Sequence, residues 1–176
     1  MTSGQDSFSG TRPVAPQHAF DVARLEAWLY ERLPGFDGAL EVEQFKGGQS
    51  NPTFLLHSGD RRWVLRRKPP GALLASAHAV DREYRVIRAL AATDVPVARA
   101  HLLCEDSAVI GSMFYVMDHV DGRIFWDPQL PNVEPAERAA LFDELNRVVA
   151  ALHCVNPAAI GLADYGRPGA YVERQV

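Results

Sequence analysis

Two cations two residues apart, Arg66 and Lys68, stand at the end of the run Arg61-Arg62-Trp63-Val64-Leu65-Arg66-Arg67-Lys68. In a strand, alternate side chains share a face. Val64, Arg66 and Lys68 therefore point one way, and Trp63, Leu65 and Arg67 point the other. Two fixed cations at one end of a sheet face suit an anion; the plain alternative is a solvated basic strand end. A second candidate is the stretch Phe45-Lys46-Gly47-Gly48-Gln49-Ser50-Asn51-Pro52-Thr53. Glycine turns can present backbone N–H groups to phosphate, although the same residues also make ordinary hairpin turns. Glu83 is the third candidate. It lies beside the apolar stripe Val80, Tyr84, Ile87 and Ala91 of a predicted helix, where a carboxylate is costly unless paired. Arg66 and Lys68 are its expected partners; Arg82, Arg85 or solvent are the alternatives. A further pair, His153 and Asn156, is set aside, because His153 ends an amphipathic helix where a packed or dipole-bound histidine is usual.

These residues need a scaffold. Asp21 is placed to cap a helix carrying Val22, Leu25, Trp28, Leu29 and Leu33, stopped by Pro34-Gly35. Alternation over 40–45 and the apolar run 53–57 predict two strands around the glycine stretch. Ser58-Gly59-Asp60 turns into the basic strand, which Pro69-Pro70-Gly71 ends. The helix with Glu83 is expected over about 78–92, broken by Thr93-Asp94-Val95-Pro96. Strands are expected over 97–105 and 112–117. The apolar run then gives way to Asp118-His119-Val120-Asp121-Gly122-Arg123, which reads as a connector in which Gly122 permits the bend; a plain surface loop is the alternative. A last helix starts near Pro135 with the apolar face Leu141, Phe142, Leu145, Val148, Val149 and Leu152.

The chain has 176 residues, 47% apolar and 23% charged, with net charge −4. This is a globular balance with room for a real core, and it argues against a nucleic-acid or anionic-membrane surface. No apolar run approaches a membrane span, and no signal peptide is visible. Cys104 and Cys154 are expected to be free, buried thiols, which suggests a cytoplasmic setting. Residues 1–17, rich in Ser, Gly, Pro and Gln, are expected to be a poorly ordered tail.

The order strand, glycine turn, strand, basic strand, helix with Glu, two strands, connector, helix resembles the N-terminal lobe of the protein-kinase-like fold. More closely it resembles the aminoglycoside phosphotransferase family, in the branch fused to acyl-CoA dehydrogenase domains in animals and free-standing in bacteria. The resemblance rests on Phe45 to Thr53, Trp63 to Gly71, Ala77 to Tyr84, Val95-Pro96-Val97, Phe114 to Met117 with Asp121-Gly122-Arg123, and Leu152-His153. It implies an α+β fold. A kinase-like N-lobe over 18–117 has an antiparallel sheet of about five strands and a C-helix-like helix. A hinge follows over 118–123, and the start of a truncated C-lobe over 124–176.

The roles it implies fall on particular residues. Gly47, Gly48, Gln49, Ser50 and Asn51 match the loop that closes over the phosphates of ATP. Arg66 stands where the family usually has a lysine on the α- and β-phosphates, and Lys68 could share that task. An arginine keeps the charge but needs more room. Glu83 matches the glutamate that orients this cation, and Met117 the back of the adenine pocket. Asp118, His119 and Val120 match the connector, whose Asp118 carbonyl and Val120 amide would bond the adenine edge. The family takes its base from a His-Gly-Asp loop and its Mg2+ ligands from a later Asp, and no His-Gly-Asp or His-Arg-Asp occurs in the sequence. No catalytic or metal residue is therefore assigned. The expectation is the ATP-binding, N-terminal part of a kinase of a small-molecule hydroxyl, such as a hydroxyacyl-CoA, inactive alone. A non-catalytic nucleotide-binding or interaction module, or a small α+β protein with an ordinary turn, are the alternatives.

Overall fold

The computed structural model describes residues 9–47, 51–69, 79–166, 169 and 173. Its centre is a six-stranded antiparallel sheet in the order β1-β2-β3-β4-β6-β5. The strands are β1 (Thr11–Arg12), β2 (Glu41–Phe45), β3 (Thr53–Ser58), β4 (Arg61–Arg67), β5 (Ala100–Cys104) and β6 (Phe114–Asp118). The helices are α1 (Val22–Tyr30), α2 (Val80–Leu90), the short α3 (Ser107–Ile110) and α4 (Pro135–Cys154). A 3-10 turn covers Pro16–His18.

The alternation read in the sequence sorts the two faces. Trp63 and Leu65 of β4, Phe54 and Leu56 of β3, and Phe114 and Val116 of β6 form one core with Leu25, Leu29 and Leu33 from α1 and its C-terminal turn. Asp21 caps α1 by accepting from Arg24 N at 3.0 Å. Trp28 meets Phe114 edge-on at 5.2 Å, and Phe20 meets Phe54 at the same distance. Burying an aromatic ring and a leucine here each contributes roughly 1.5–3 kcal/mol. Arg67 joins this face, 2% exposed. Its guanidinium lies over Phe20 and Phe54 and donates to Ile110 O at 3.2 Å.

On the opposite face, directly paired residues align as Thr53 with Arg66, Leu55 with Val64, Arg66 with Tyr115, and Val64 with Met117. Opposite residues in an antiparallel pair share a face, so this second face carries Thr53, Leu55, Val64, Arg66, Tyr115 and Met117. Helix α2 packs against β5 and β6.

Several expectations are corrected. Part of the expected tail is ordered: Thr11 and Arg12 pair with Phe45 and Gln44, adding a sixth strand. A two-residue strand carries no period, so sequence pattern cannot show it. Strand β5 begins at Ala100, not Val97, and β6 runs on through Asp118. Cys104 is buried but Cys154 is exposed. Gly122 is not in the left-handed region, so the connector bends without a glycine-only conformation. Helix α4 keeps Phe142, Leu145, Val149 and Leu152 between 41% and 55% exposed. No helix among the described residues is long and apolar enough to cross a membrane.

Candidate functional site

Glu83 is the hub of the second face. One oxygen, Oε2, accepts from Arg66 Nε at 2.6 Å and from the Tyr115 hydroxyl at 3.2 Å. The other, Oε1, accepts from Asn51 Nδ2 at 2.8 Å, with Arg66 Nη2 at 3.5 Å. Arg66 also donates from Nη1 to Thr53 Oγ1 at 3.1 Å. Four elements thus converge on one ion pair: β3, β4, β6 and α2, with Asn51, two residues before β3. Arg66 and Glu83 side chains are 26% and 33% exposed. The pair is partly shielded from water, and its strength lies between a surface and a buried bridge. The Tyr115 phenol is pushed above its ordinary range, first by burial and then by the Glu83 carboxylate. It remains a donor throughout the neutral and mildly alkaline range.

The charge partners divide cleanly. Glu83 takes Arg66, not Lys68. Lys68 is pinned by its backbone, which donates from N to Met113 O at 2.9 Å and accepts from Ser112 Oγ at 2.7 Å. No hydrogen bond or ion pair engages its ammonium among the described residues. Arg82 and Arg85 turn away from Glu83 and clamp α2 to residues 161–165. Arg82 Nη2 donates to Tyr165 O at 2.7 Å, and its guanidinium lies 4.1 Å from the Tyr165 ring. Arg85 donates to Gly161 O at 2.7 Å and to both Asp164 oxygens, at 3.0 Å for Oδ2. That donation, with the positive charge behind it, holds the Asp164 carboxyl below its usual range. The helix that presents Glu83 is therefore fixed on its two sides by different parts of the chain.

The glycine stretch leaves β2 at Phe45 and returns at Thr53, beside Arg66. Gly47 and Asn51 are described; Gly48, Gln49 and Ser50 lie outside the described residues. Asn51 is 3% exposed and has turned inward to Glu83, so its side chain braces the ion pair. Sequence reasoning placed Asn51 in the loop but missed that bond and missed Tyr115. Both lie 32 residues from Glu83, beyond any local pattern. The alternation of β6 was the one signal for Tyr115.

The connector leaves the sheet at the other end of that face, just after Met117. Met117 is half-buried opposite Val64. Asp118 closes β6 opposite Trp63, its amide donating to Arg99 O at 2.9 Å. Its carboxylate is held by His101 Nε2 at 2.6 Å. His101 occupies a register shift in β5, where Ala100 and Leu102 face consecutive β6 residues. An extra residue of this kind re-aims a side chain. His119 is half-buried and lies 3.7 Å from Asp121, which Arg62 holds at 2.7 Å. Val120 is 68% exposed. The rows Trp63–Asp118 and Thr53–Arg66 lie three residues apart, roughly 10 Å along the strand. One face thus offers a connector at one end and a fixed cation beside a glycine loop at the other.

Three comparisons with known proteins fit this arrangement. The family model described as the phosphotransferase enzyme family matches residues 41–176. The chain belongs to that family. A solved protein from Ralstonia eutropha, named as a candidate aminoglycoside phosphotransferase, superposes with a TM-score of 0.78 at 54% identity. The match covers 89% of this chain and 45% of that one. Acyl-CoA dehydrogenase family member 11 is 48% identical over 170 residues in Rattus norvegicus, covering 94% of this chain, and 50% identical over 171 residues in Gallus gallus, covering 95%. Acyl-CoA dehydrogenase family member 10 of Mus musculus is 44% identical over 167 residues, covering 94% of this chain and 16% of the relative. This chain spans 22% of the rat and chicken relatives. The fold is kinase-like, with a mixed α/β architecture on an antiparallel sheet.

Proposed function

We propose that this phosphotransferase-family chain is the ATP-binding part of an enzyme that phosphorylates a small-molecule hydroxyl. The observation that carries the reading is the Arg66–Glu83 pair, braced by Asn51 and Tyr115 beside the glycine loop. Glu83 fixes the Nε edge of the guanidinium, and Arg66 supplies a held positive charge for the α- and β-phosphates. Phosphoryl transfer needs such positioning more than covalent chemistry. Lys68, the residue just past β4 and without a partner for its ammonium among the described residues, is a second cation for the phosphates. The stretch Gly47 to Asn51 is the one that the family resemblance assigns to the phosphates. Met117 backs the adenine, and the Asp118 carbonyl and Val120 amide bond its edge. In domain terms, 18–117 with the edge strand Thr11–Arg12 form the N-lobe, 118–123 the hinge, and 124–176 the start of a second lobe.

The residues fit the nucleotide but not its metal. Among the described residues no group of three or more His, Cys, Asp or Glu could hold a metal ion. No step therefore runs through Mg2+, whose ligands in this family follow a His-Gly-Asp loop that the sequence lacks. The chain alone binds ATP without transferring phosphate. The similarity to proteins named as acyl-CoA dehydrogenase family members supports a hydroxylated acyl compound, such as a hydroxyacyl-CoA, as the acceptor. A second reading is a non-catalytic nucleotide-binding module. Phosphorylation of a hydroxylated acyl compound by a longer form of the protein distinguishes the two.

Titration of the chain with ATP, monitored calorimetrically, tests the phosphate role. Arg66→Ala is expected to weaken binding about tenfold and Lys68→Ala by a smaller factor, since a charge-assisted bond is worth about 1.5–3 kcal/mol. Unchanged affinity in both variants overturns the assignment.

A further inference from the structure

A cleft of about 410 Å³ lies outside the ATP face, at the β5 edge of the sheet. Three arginines from three separate parts of the chain line it. Arg32 comes from the turn after α1, Arg88 from the last turn of α2, and Arg99 from just before β5, with His101 beside them. No carboxylate lines the cleft among the described residues. Arg32 is partly neutralised by Glu31 and stacks over Trp28. Among the described residues Arg88 is held by neutral Tyr84, through its hydroxyl at 3.1 Å and its ring. Arg99 has no side-chain partner among the described residues, although its carbonyl is fixed by Asp118 N at 2.9 Å. The His101 ring is turned to the Asp118 carboxylate, which takes up that acidic group.

Two arginines without a carboxylate partner among the described residues, and a third beside them, all exposed, make a local positive patch on a chain of net charge −4. Such a patch attracts an anion. Guanidinium forks match phosphate oxygens bidentately, and the volume falls in the range of small-molecule sites. We propose that this cleft is a second anion site, separate from the ATP face, that takes a phosphate-bearing small molecule, its phosphate held by Arg88 and Arg99 with Arg32 at the rim.

Pyrophosphate is the probe. It is titrated into the Arg66→Ala/Lys68→Ala chain, in which the proposed ATP-phosphate cations are absent. Saturable binding is expected to persist there and to weaken at least tenfold when Arg88→Ala and Arg99→Ala are added. The same two changes in the unaltered Arg66 and Lys68 background are expected to leave ATP affinity and the urea unfolding midpoint unchanged. The proposal is overturned if pyrophosphate shows no saturable binding in the Arg66→Ala/Lys68→Ala chain, or if its binding survives loss of Arg88 and Arg99. ATP binding that ignores Arg66 and Lys68 would count against the proposed function and leave this site standing.

Discussion

At the residue scale, the ion pair decides what β4 is for. Neighbouring arginines on one strand have opposite fates: Arg67 is sunk against Phe20 and Phe54, and Arg66 is presented on the other face with its Nε edge taken by Glu83. Burial pushes the Arg67 guanidinium below its ordinary range yet leaves it charged at neutral pH, because the ordinary value is so high. Strand periodicity sufficed to separate the two, and the cost of a carboxylate beside an apolar stripe sufficed to seek a cation for Glu83. Which cation could not be read, because Arg66 and Lys68 share a face by period and only the packing of α2 selects between them. Replacing Glu83 with Gln leaves Arg66 uncompensated and weakens its charge-assisted bonds. The expected loss is roughly 1–3 kcal/mol in urea unfolding, together with weaker ATP binding. A variant as stable as the parent would show that the pair is incidental.

At the element scale, α2 is fixed from two sides. Glu83 reaches the sheet while Arg82 and Arg85, on another side of the helix, reach 161–165. This second attachment was not legible, since 161–166 has no regular pattern and the contacts span 76 to 83 residues. The Asp164 carboxyl is depressed by the Arg85 hydrogen bond. Its contribution to the clamp is complete above the unfolded carboxyl value, about 3.9, and is lost as pH falls through the lower folded value. The protection of the α2 amides, that is, their exchange relative to the intrinsic rate at each pH, is expected to hold above about pH 4 and to fall below it more steeply in the parent than in Asp164→Asn. Identical acid profiles for the two proteins would mean that the clamp does not hold the helix. The register shift at His101 belongs to the same class of hidden feature: it follows from how β5 meets β6, not from residue types.

At the scale of the whole molecule, the sheet joins a connector at one end to a cation and glycine loop at the other. The strands around the glycine stretch and the helix with Glu83 were visible in the sequence as periods of two and 3.6, and the resemblance carried by the glycine stretch, the basic strand and Glu83 implied the kinase-like architecture; the order of the strands in the sheet was not visible. The edge strand Thr11–Arg12 and the exposed apolar face of α4 were not visible either, the first being too short to show a period. The second is a matter of what covers a helix, which amphipathicity does not state. Phe142, Leu145, Val149 and Leu152 lie along α4 with no cover among the described residues, in a chain that spans 45% of a solved relative. The central claim is that the two ends of one face act together on a nucleotide. The most direct test is the affinity of the chain for adenosine, AMP, ADP and ATP under one set of conditions. Affinity rising with each phosphate, with ATP at least tenfold tighter than AMP, is the predicted result; equal affinity along the series, or no binding of ATP, would contradict it.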